Sequence, residues 1–249
     1  MQRIFISNEC FQDNSIHLSD DIAHHLFNVC RLKVNDKLEL VIDEHELKLV
    51  QINQIYENKI TVKVLNYYSV NSTRSMKVSL IQSLPKQDKL TDVCRLCTEI
   101  GVGHIFPVIS DNCDIQSLNE NRFRRAEKAI ESAAKQSKQS FIPKLEMAMP
   151  LHAFLKSHDI SSDALKLVAY EKSTMPLTKI VTTTPKEIII AIGPEGGYSE
   201  QDIALFKRYE FKPFSIGNFI LRTEHAGFAA MNYIDGFFSS YEPKCMPGE

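Results

Sequence analysis

The spacing of apolar and polar residues changes near residue 70. Before that point, short runs rich in Ile, Val, Leu and Tyr are separated by polar turn residues, which is typical of small antiparallel β-domains. Beyond it, short apolar runs alternate with segments in which apolar residues recur every three or four positions, as in amphipathic helices. Alternating strands and helices predict a largely parallel sheet with helices on both faces. The sequence therefore predicts an α/β fold preceded by a small β-barrel.

The polar stretch Ser69–Ser75 separates the two patterns, so we predict domains at residues 1–70 and 75–249. In the first domain, strands are predicted at Arg3–Ile6, Lys37–Ile42, Leu47–Tyr56 and Ile60–Tyr67, with a short helix at Ser19–Val29. In the second domain, strands are predicted at Lys77–Leu84, His104–Ile109, Leu165–Tyr170, Glu187–Ile192 and Lys212–Ile216. The helices between them are predicted at Asp88–Ile100, Asn121–Gln139, Leu151–Lys156, Glu200–Tyr209 and Thr223–Phe238.

The apolar run Ile188–Ile192 has no polar alternation. Such a run predicts a strand buried on both faces of a parallel sheet, and ligands favour the carboxyl ends of these strands. The loop that follows, Gly193–Gly197, is rich in glycine, so its backbone groups can approach a ligand closely. Ser199 and Asp202 then form the sequence pattern of a capping box at the start of the next helix.

A second segment, Ser215–Ala226, has the same order of strand, glycine turn and helix. Gly217 opens the turn, Thr223 is predicted to cap the helix, and Glu224 is placed at the positive end of the helix dipole. Neither segment has the glycine spacing of the dinucleotide fingerprint or the lysine of the phosphate-binding loop. A nicotinamide or nucleotide-hydrolysis function therefore loses its main support.

The composition is that of a globular protein, with 43% apolar and 24% charged residues in a chain of 249. No apolar run reaches the roughly 20 residues of a membrane helix, and the first residues lack a signal-peptide core. We therefore expect a cytoplasmic protein with no membrane partner. Cys94 and Cys97 lie in a helical apolar pattern, and no second pair at metal-binding spacing follows. They are interpreted as buried hydrophobic residues, and no metal site is predicted.

The net charge of −2 hides a basic segment. Between residues 121 and 139, six Lys and Arg residues are balanced by only two Glu residues on one predicted helix. Such a helix either contacts RNA phosphates or is a solvated face that binds nothing, and the charge pattern leaves both interpretations open.

Several segments match one known family in the same order along the chain. They are His25–Val34, Leu84–Lys89, Thr98–Val102, Ser132–Ser137, Ile192–Glu200, Ile216–Gly217 and Ile220–Glu224. Together they resemble the SPOUT superfamily of S-adenosylmethionine-dependent methyltransferases, most closely its small-subunit (16S) ribosomal RNA uracil-N3 methyltransferase family. The resemblance covers nearly the whole chain.

The resemblance implies an α/β sheet whose C-terminal segment threads a loop to form a trefoil knot, preceded by a PUA-like RNA-binding barrel. It also implies S-adenosylmethionine as cofactor and a homodimer. The implied target is N3 of a uridine in small-subunit ribosomal RNA, either free or in the assembled subunit. The residues that it assigns to cofactor binding are Ala169, Tyr170, Glu171, Ile192, Gly193, Pro194, Glu195, Gly196, Gly197, Ile216, Gly217, Ile220, Leu221 and Arg222.

Arg222 and Glu224 are the implied catalytic residues. Because uridine N3 is a poor nucleophile while protonated, Arg222 is expected to stabilise negative charge on O2 or O4, and Glu224 to accept the proton or to fix Arg222. A purely structural pairing of Arg222 with Glu224, or with another carboxylate across the turn, is the alternative. Glu195 either meets the cationic methionine moiety or hydrogen-bonds backbone N–H groups of its own loop. The residues expected to contact RNA are Arg31, Lys33, Lys86, Arg124, Arg125, Lys128 and Lys135.

Phe219, His225, Asn112 and Gln139 depart from the family's pattern. Basic or polar anchors are missing or moved at these positions, which hardly affects cofactor binding but weakens the case for RNA contact. Two other functions stay open. One is a SPOUT methyltransferase that acts on another base or on a ribose 2′-oxygen, and the other is a non-catalytic RNA-binding or assembly factor that keeps the knot.

Overall fold

The structure is a computed structural model that describes residues 1–44, 46–56, 59–69, 76–181 and 184–238. Contacts within the chain divide it into two units. The first unit contains Met1–Ser75 together with Glu131–Ile142, and the second contains Met76–Ile130 and Pro143–Glu249. The predicted boundary stretch lies almost wholly outside the described residues, and the division at residues 70 and 75 stays a prediction. No pattern in the sequence predicted that residues 131–142 group with the first unit.

The first unit is built on a six-stranded sheet in the order β1-β4-β5-β6-β3-β2. Strands β1 and β4 are parallel, and the other neighbouring strands are antiparallel. A 3-10 turn follows β1, and a π-helical turn follows the short helix α1. The elements are β1 (Gln2–Ile6), β2 (Phe11–Gln12), β3 (Ser15–His17), α1 (Asp20–His24), β4 (Lys37–Ile42), β5 (Glu46–Tyr56) and β6 (Lys59–Ser69).

The core of this unit is formed by apolar residues of the predicted strand runs. Leu38 and Leu40 of β4 and Ile52 and Ile60 of the neighbouring strands are fully buried in one cluster. The hairpin of β2 and β3 was not predicted, because strands of two and three residues carry too little alternation to be recognised.

A buried ion cluster joins β1, β4 and the segment after α3. The Arg3 guanidinium lies 2.9 Å from the Glu39 carboxylate, with both side chains only 5% exposed, and the Lys138 ammonium lies 2.8 Å from the same carboxylate. Arg3 also donates to the backbone carbonyls of Lys138 and Gln139. Although burial works against ionisation, the hydrogen bonds from Lys138 and Arg3 hold the pKa of Glu39 below its ordinary value. Lys138, part of the predicted basic helix, thus neutralises a carboxylate.

The second unit is built on a parallel sheet in the order β10-β8-β7-β12-β11-β13, with β9 also paired to β8. Every strand pair in this sheet is parallel, as predicted. The strands are β7 (Lys77–Ser83), β8 (His104–Ile109), β9 (Lys144–Leu145), β10 (Met149–Pro150), β11 (Leu165–Ala169), β12 (Glu187–Ile192) and β13 (Lys212–Phe214). The helices are α2 (Lys89–Glu99), α3 (Glu120–Gln136, which runs into the segment grouped with the first unit), α4 (Leu151–Ser157), α5 (Leu177–Ile180), α6 (Glu200–Arg208) and α7 (Thr223–Phe238).

Strand β12 lies between β7 and β11, so both of its edges are hydrogen-bonded. Its residues Ile188–Ile192 are all buried, which confirms the interpretation of the apolar run. Because parallel strands end at the same edge of a sheet, the loops after β11, β12 and β13 begin close together.

The predicted capping box at α6 is confirmed. The Ser199 hydroxyl accepts a hydrogen bond from the Asp202 N–H at 2.9 Å, and the Asp202 carboxylate accepts one from the Ser199 N–H at 3.1 Å. The Ser199 hydroxyl also donates to the Asp111 carboxylate at 2.5 Å. Burial, together with the nearby charge of Asp111, raises the pKa of Asp202. The loop after β8 is thereby tied to the start of α6.

Cys94 and Cys97 are buried on α2, as the apolar helix pattern predicts. Burial raises the pKa of Cys97 to about 12, so its side chain is a neutral thiol at physiological pH. Among the described residues, no helix is long and apolar enough to span a membrane.

The substitution Glu39→Ala is expected to destabilise the protein by about 3–5 kcal/mol at pH 7, because it leaves Arg3 buried without its carboxylate. The matched control is Glu46→Ala, which removes a 61%-exposed carboxylate from an ion pair with Lys48 in the same unit and is expected to cost less than about 1 kcal/mol. Urea denaturation monitored by circular dichroism measures both.

The pH dependence of this difference has a definite sign. The folded pKa of Glu39 is depressed, so its ionisation stabilises the fold above the ordinary carboxyl pKa, and this stabilisation is lost as the pH falls through the folded value. The difference in free energy of unfolding between the native protein and Glu39→Ala should therefore become smaller below about pH 4. A difference in stability that does not change with pH would contradict the role given to the ionised Glu39. So would equal losses of stability in Glu39→Ala and Glu46→Ala.

Candidate functional site

A cavity of about 600 Å³ opens at the carboxyl edge of the parallel sheet. Its walls come from the loops after β11, β12 and β13, together with one residue each from α2 and the interior of α7. The lining residues are Lys89, Ala169, Tyr170, Glu171, Ile192, Gly193, Pro194, Glu195, Gly196, Gly197, Tyr198, Ser215, Ile216, Gly217, Phe219, Ile220, Leu221, Arg222, Thr223 and Ala226.

Every residue assigned to cofactor binding in the sequence lines this cavity. The two glycine turns are therefore brought together in space, and the end of β11 joins them. Binding by these residues stays a prediction. Sequence reasoning missed Lys89 as part of the wall, although it ends the family-like segment Leu84–Lys89, because its partners are far away along the chain.

The glycines of the loop after β12 are closely packed. A Cβ on Gly196 would lie 3.2 Å from the Cβ of Asn112, and one on Gly193 would lie 3.3 Å from the backbone of Gly197 and Tyr198. Gly197 has a φ of +68°, a left-handed conformation that favours glycine, and its α-carbon faces the Glu171 carboxylate. The backbone of the loop is therefore the surface that faces the cavity.

Asn112 fixes this loop from the end of β8. Its side-chain amide donates to the carbonyls of Gly196 at 3.3 Å and Gly197 at 3.1 Å. Asn112 was noted in the sequence as a lost family anchor. Its short side chain here holds the glycine loop in place.

Glu195 is held by backbone and lysine donors. Its carboxylate accepts from the Lys86 N–H at 3.1 Å and from the Lys89 ammonium at 3.0 Å. Burial opposes ionisation, but the hydrogen bonds from its own N–H, from Lys89 and from the Lys86 N–H hold the pKa of Glu195 below its ordinary value. Glu195 thus has a hydrogen bond from its own backbone N–H, as one alternative expects, and a second from the Lys86 N–H of another loop. Contact of Glu195 with the methionine moiety stays a prediction.

The start of α7 is anchored to the end of β12. The Thr223 hydroxyl donates to the Gly193 carbonyl at 2.6 Å and accepts from the side-chain amide of Gln82 at 3.0 Å. The prediction that Thr223 caps α7 is wrong, because Thr223 is the first helical residue and its hydroxyl bridges two strand ends instead.

Arg222 and Glu224 are only two residues apart but lie in different surroundings. Arg222 is exposed on the cavity wall, and no hydrogen bond or ion pair of its side chain is found among the described residues. Glu224 is buried, its carboxylate lies 3.4 Å from the Lys89 ammonium, and it is absent from the cavity lining. The alternative in which Arg222 pairs with Glu224 is therefore not formed. The catalytic roles of both residues stay predictions.

The residues predicted to contact RNA are mostly neutralised locally. Arg31 and Lys33 are exposed in the loop before β4 of the first unit. Carboxylate partners are found for four others: Lys86 with Asp114 (2.5 Å), Arg124 with Glu120 (2.6 Å), Arg125 with Asp88 (2.7 Å) and Lys135 with Glu131. In the described part of the chain, Lys128 is exposed and has no ion pair. Contact with RNA stays a prediction for all of them.

Two family models match the chain. One, described as an RNA methyltransferase domain, covers residues 72–235, and the other, described as an RNA methyltransferase PUA domain, covers residues 18–65. The solved structure of a ribosomal RNA small subunit methyltransferase E from Neisseria gonorrhoeae, bound to S-adenosylmethionine, superposes with a TM-score of 0.84. It covers 95% of this chain and 98% of its own at 24% identity, so it shows the same fold.

Fold and family models together define the class, an RNA methyltransferase with a PUA domain. Ribosomal RNA small subunit methyltransferase E of Rickettsia conorii is 32% identical over 92% of this chain and 93% of its own, and that of Buchnera aphidicola is 28% identical over 96% and 95%. The chain belongs to the ribosomal RNA small subunit methyltransferase E family.

Thr223→Val is expected to destabilise the protein by about 1–3 kcal/mol, because it keeps the shape but leaves the Gly193 carbonyl and the Gln82 amide without their partner. Thr178→Val, at an exposed position on α5, is the matched control and should stay within about 0.5 kcal/mol of the native protein. Chemical denaturation measures both. Equal stability of the two variants would show that the Thr223 bridge contributes nothing.

Proposed function

We propose that this protein transfers a methyl group from S-adenosylmethionine to N3 of a uridine in small-subunit ribosomal RNA. The observation that carries the proposal is the convergence of the loops after β11, β12 and β13 into one cavity with a glycine-lined wall. Methyl transfer to ribosomal RNA with this cofactor agrees with the family to which the chain belongs. The choice of uridine N3 rests on the sequence resemblance.

The residues of the cavity suit the cofactor. Its volume of about 600 Å³ is typical of small-molecule sites. Ile192, Ile216 and Leu221 offer apolar contact for an adenine ring, and the close-packed glycines offer backbone groups without intervening side chains. The exposed Glu171 carboxylate beside Gly197 can accept hydrogen bonds from hydroxyl groups.

The bound cofactor supplies an electrophilic methyl carbon on a sulfonium. The main task of the protein is then to hold the target nitrogen in line with that carbon. Arg222, exposed on the wall and without a partner in the described structure, is placed to stabilise negative charge on a uracil oxygen when the N3 proton leaves. Solvent at the open side of the cavity, where Arg222 is exposed, is the proposed acceptor of that proton.

Lys89 and Glu224 are proposed to position the site. The hydrogen bond from Lys89 to Glu195, aided by the charge of Glu224, raises the pKa of Lys89, so the ammonium stays charged and does not act as a base. Glu224 contacts Lys89 and does not line the cavity, so we infer that it acts through Lys89 rather than on the substrate.

The first unit and the basic side chains are proposed to contact RNA. The PUA family model covers most of the sheet of the first unit, and Arg31 and Lys33 are exposed there. The homodimer and the trefoil knot are carried from the sequence resemblance as parts of the same proposal. Small-subunit ribosomal RNA, free or assembled, is the proposed partner.

Nucleoside mass spectrometry of ribosomal RNA incubated with the purified protein and isotope-labelled S-adenosylmethionine tests the function. Labelled 3-methyluridine in small-subunit RNA is expected. Label in another base or on a ribose would overturn the N3 assignment. RNA binding with no label in any RNA would overturn the enzymatic function.

Arg222→Ala is expected to lower the single-turnover methylation rate by about 100-fold or more, as removal of a charge-stabilising donor does in other enzymes. Glu224→Gln is expected to have a smaller effect, because its carboxylate contacts Lys89 rather than the cavity. Rates at saturating cofactor measure both. If the larger loss follows Glu224→Gln, the proton-acceptor role of Glu224 is favoured instead.

Gly196→Val is expected to abolish binding of S-adenosylhomocysteine, because the added side chain must displace Asn112 and distort the loop. Gly236→Ala, on α7 where an added Cβ meets no atom within 4 Å, is the matched control and should bind normally. Calorimetry on both variants, with circular dichroism to check folding, gives the answer. Native affinity in folded Gly196→Val would place the cofactor elsewhere.

A further inference from the structure

We propose that Phe219 is a stacking platform for a base of the RNA substrate at the mouth of the cavity. This inference rests on the proposed function, since it concerns the substrate side of the same site. In the sequence, Phe219 is recognisable only as a departure from the family pattern. Here it becomes a residue that contacts the substrate.

Phe219 is unusually exposed for an aromatic side chain. It and Ile220 are each 87% exposed, more than any other large hydrophobic side chain in the described part of the chain, where Tyr67 follows at 67%. Both nevertheless line the cavity. The Phe219 ring packs on no other described aromatic ring, and no cation is found over it. Its flat face is therefore available to a ligand.

The loop that carries Phe219 is anchored at both ends. At its start, the Ser215 N–H donates to the Met175 carbonyl at 2.9 Å, and the Ser215 hydroxyl donates to the Gly217 carbonyl at 3.0 Å. At its end, Thr223 is bonded to Gly193 at 2.6 Å. The loop that carries the exposed ring is thus held at both ends, close to the glycine loop Gly193–Gly197.

An RNA base fits this position better than the cofactor. The apolar residues nearest the strand ends, Ile192 and Ile216, already provide a shielded wall for the cofactor. A base that is methylated must leave its stack, and an aromatic side chain replaces the lost stacking. Arg222, on the same wall and without a described partner, complements the charge of RNA.

The chain contains no tryptophan, so F219W creates a protein with a single fluorescent indole at this site. Addition of small-subunit ribosomal RNA in the presence of S-adenosylhomocysteine should quench its emission, since a stacked base contacts the indole face. M147W, at a 51%-exposed position of the second unit outside the cavity lining, is the matched control and should be quenched much less.

Three results of this measurement would overturn the inference. Quenching of F219W by S-adenosylhomocysteine alone would assign the ring to the cofactor. Emission that changes with protein concentration in the absence of RNA would assign it to a second copy of the chain. Equal quenching of F219W and M147W by RNA would show no specific stacking.

Kinetics on the RNA that the native protein methylates separates this inference from the proposed function. F219A should raise the KM for RNA by about tenfold or more, leave the affinity for S-adenosylhomocysteine within twofold, and be rescued by F219Y. An unchanged KM with normal native activity overturns the stacking role alone. A native protein that methylates no RNA overturns the proposed function, and the fluorescence result then still decides whether RNA stacks on residue 219.

Discussion

The hydrogen bond from the Thr223 hydroxyl to the Gly193 carbonyl joins the two turns on which the site depends. Gly193 directly follows the central strand β12, and Thr223 begins α7. The buried Gln82 amide of β7 donates to the same Thr223 hydroxyl. Between these anchors, the segment from Ser215 to Arg222 forms one wall of the cavity and the glycine loop forms another. This bridge ties the start of α7, next to Arg222, to the ends of β12 and β7.

Ion pairs also connect the segments that form the site. Lys89 lies between Glu195 of the glycine loop and Glu224 of α7, at 3.0 Å and 3.4 Å. Lys89 thereby pairs with two carboxylates on different segments, of which Glu224 is buried and has no hydrogen-bond partner for its Oε2 among the described residues. In the described part of the chain, the Arg222 side chain has no hydrogen bond or ion pair, and its guanidinium is exposed on the cavity wall.

The elements that could be predicted are those that depend on residues close together in the sequence. The strands β7, β8, β11 and β12 match the predicted runs to within one residue, and β13 ends two residues before the predicted Ile216. Mostly apolar runs are typical of strands buried in a parallel sheet. The capping box of α6 was also predictable, since its residues are three positions apart. The short strands β2, β3, β9 and β10 were missed, because their pairing depends on neighbouring strands more than on their own residues.

The features of the candidate site also divide into those predictable from nearby residues and those that depend on tertiary contacts. The sequence by itself determined the alternation of strands and helices, the two glycine turns that line the cavity and the order of family-like segments. Only the tertiary structure decided that Thr223 bridges two strands, that Asn112 holds the glycine loop, and that Glu224 pairs with Lys89 rather than Arg222. The physical reason is that a side chain's partner is set by which strand ends meet, and the bond from Lys89 to Glu195 spans 106 positions of the chain.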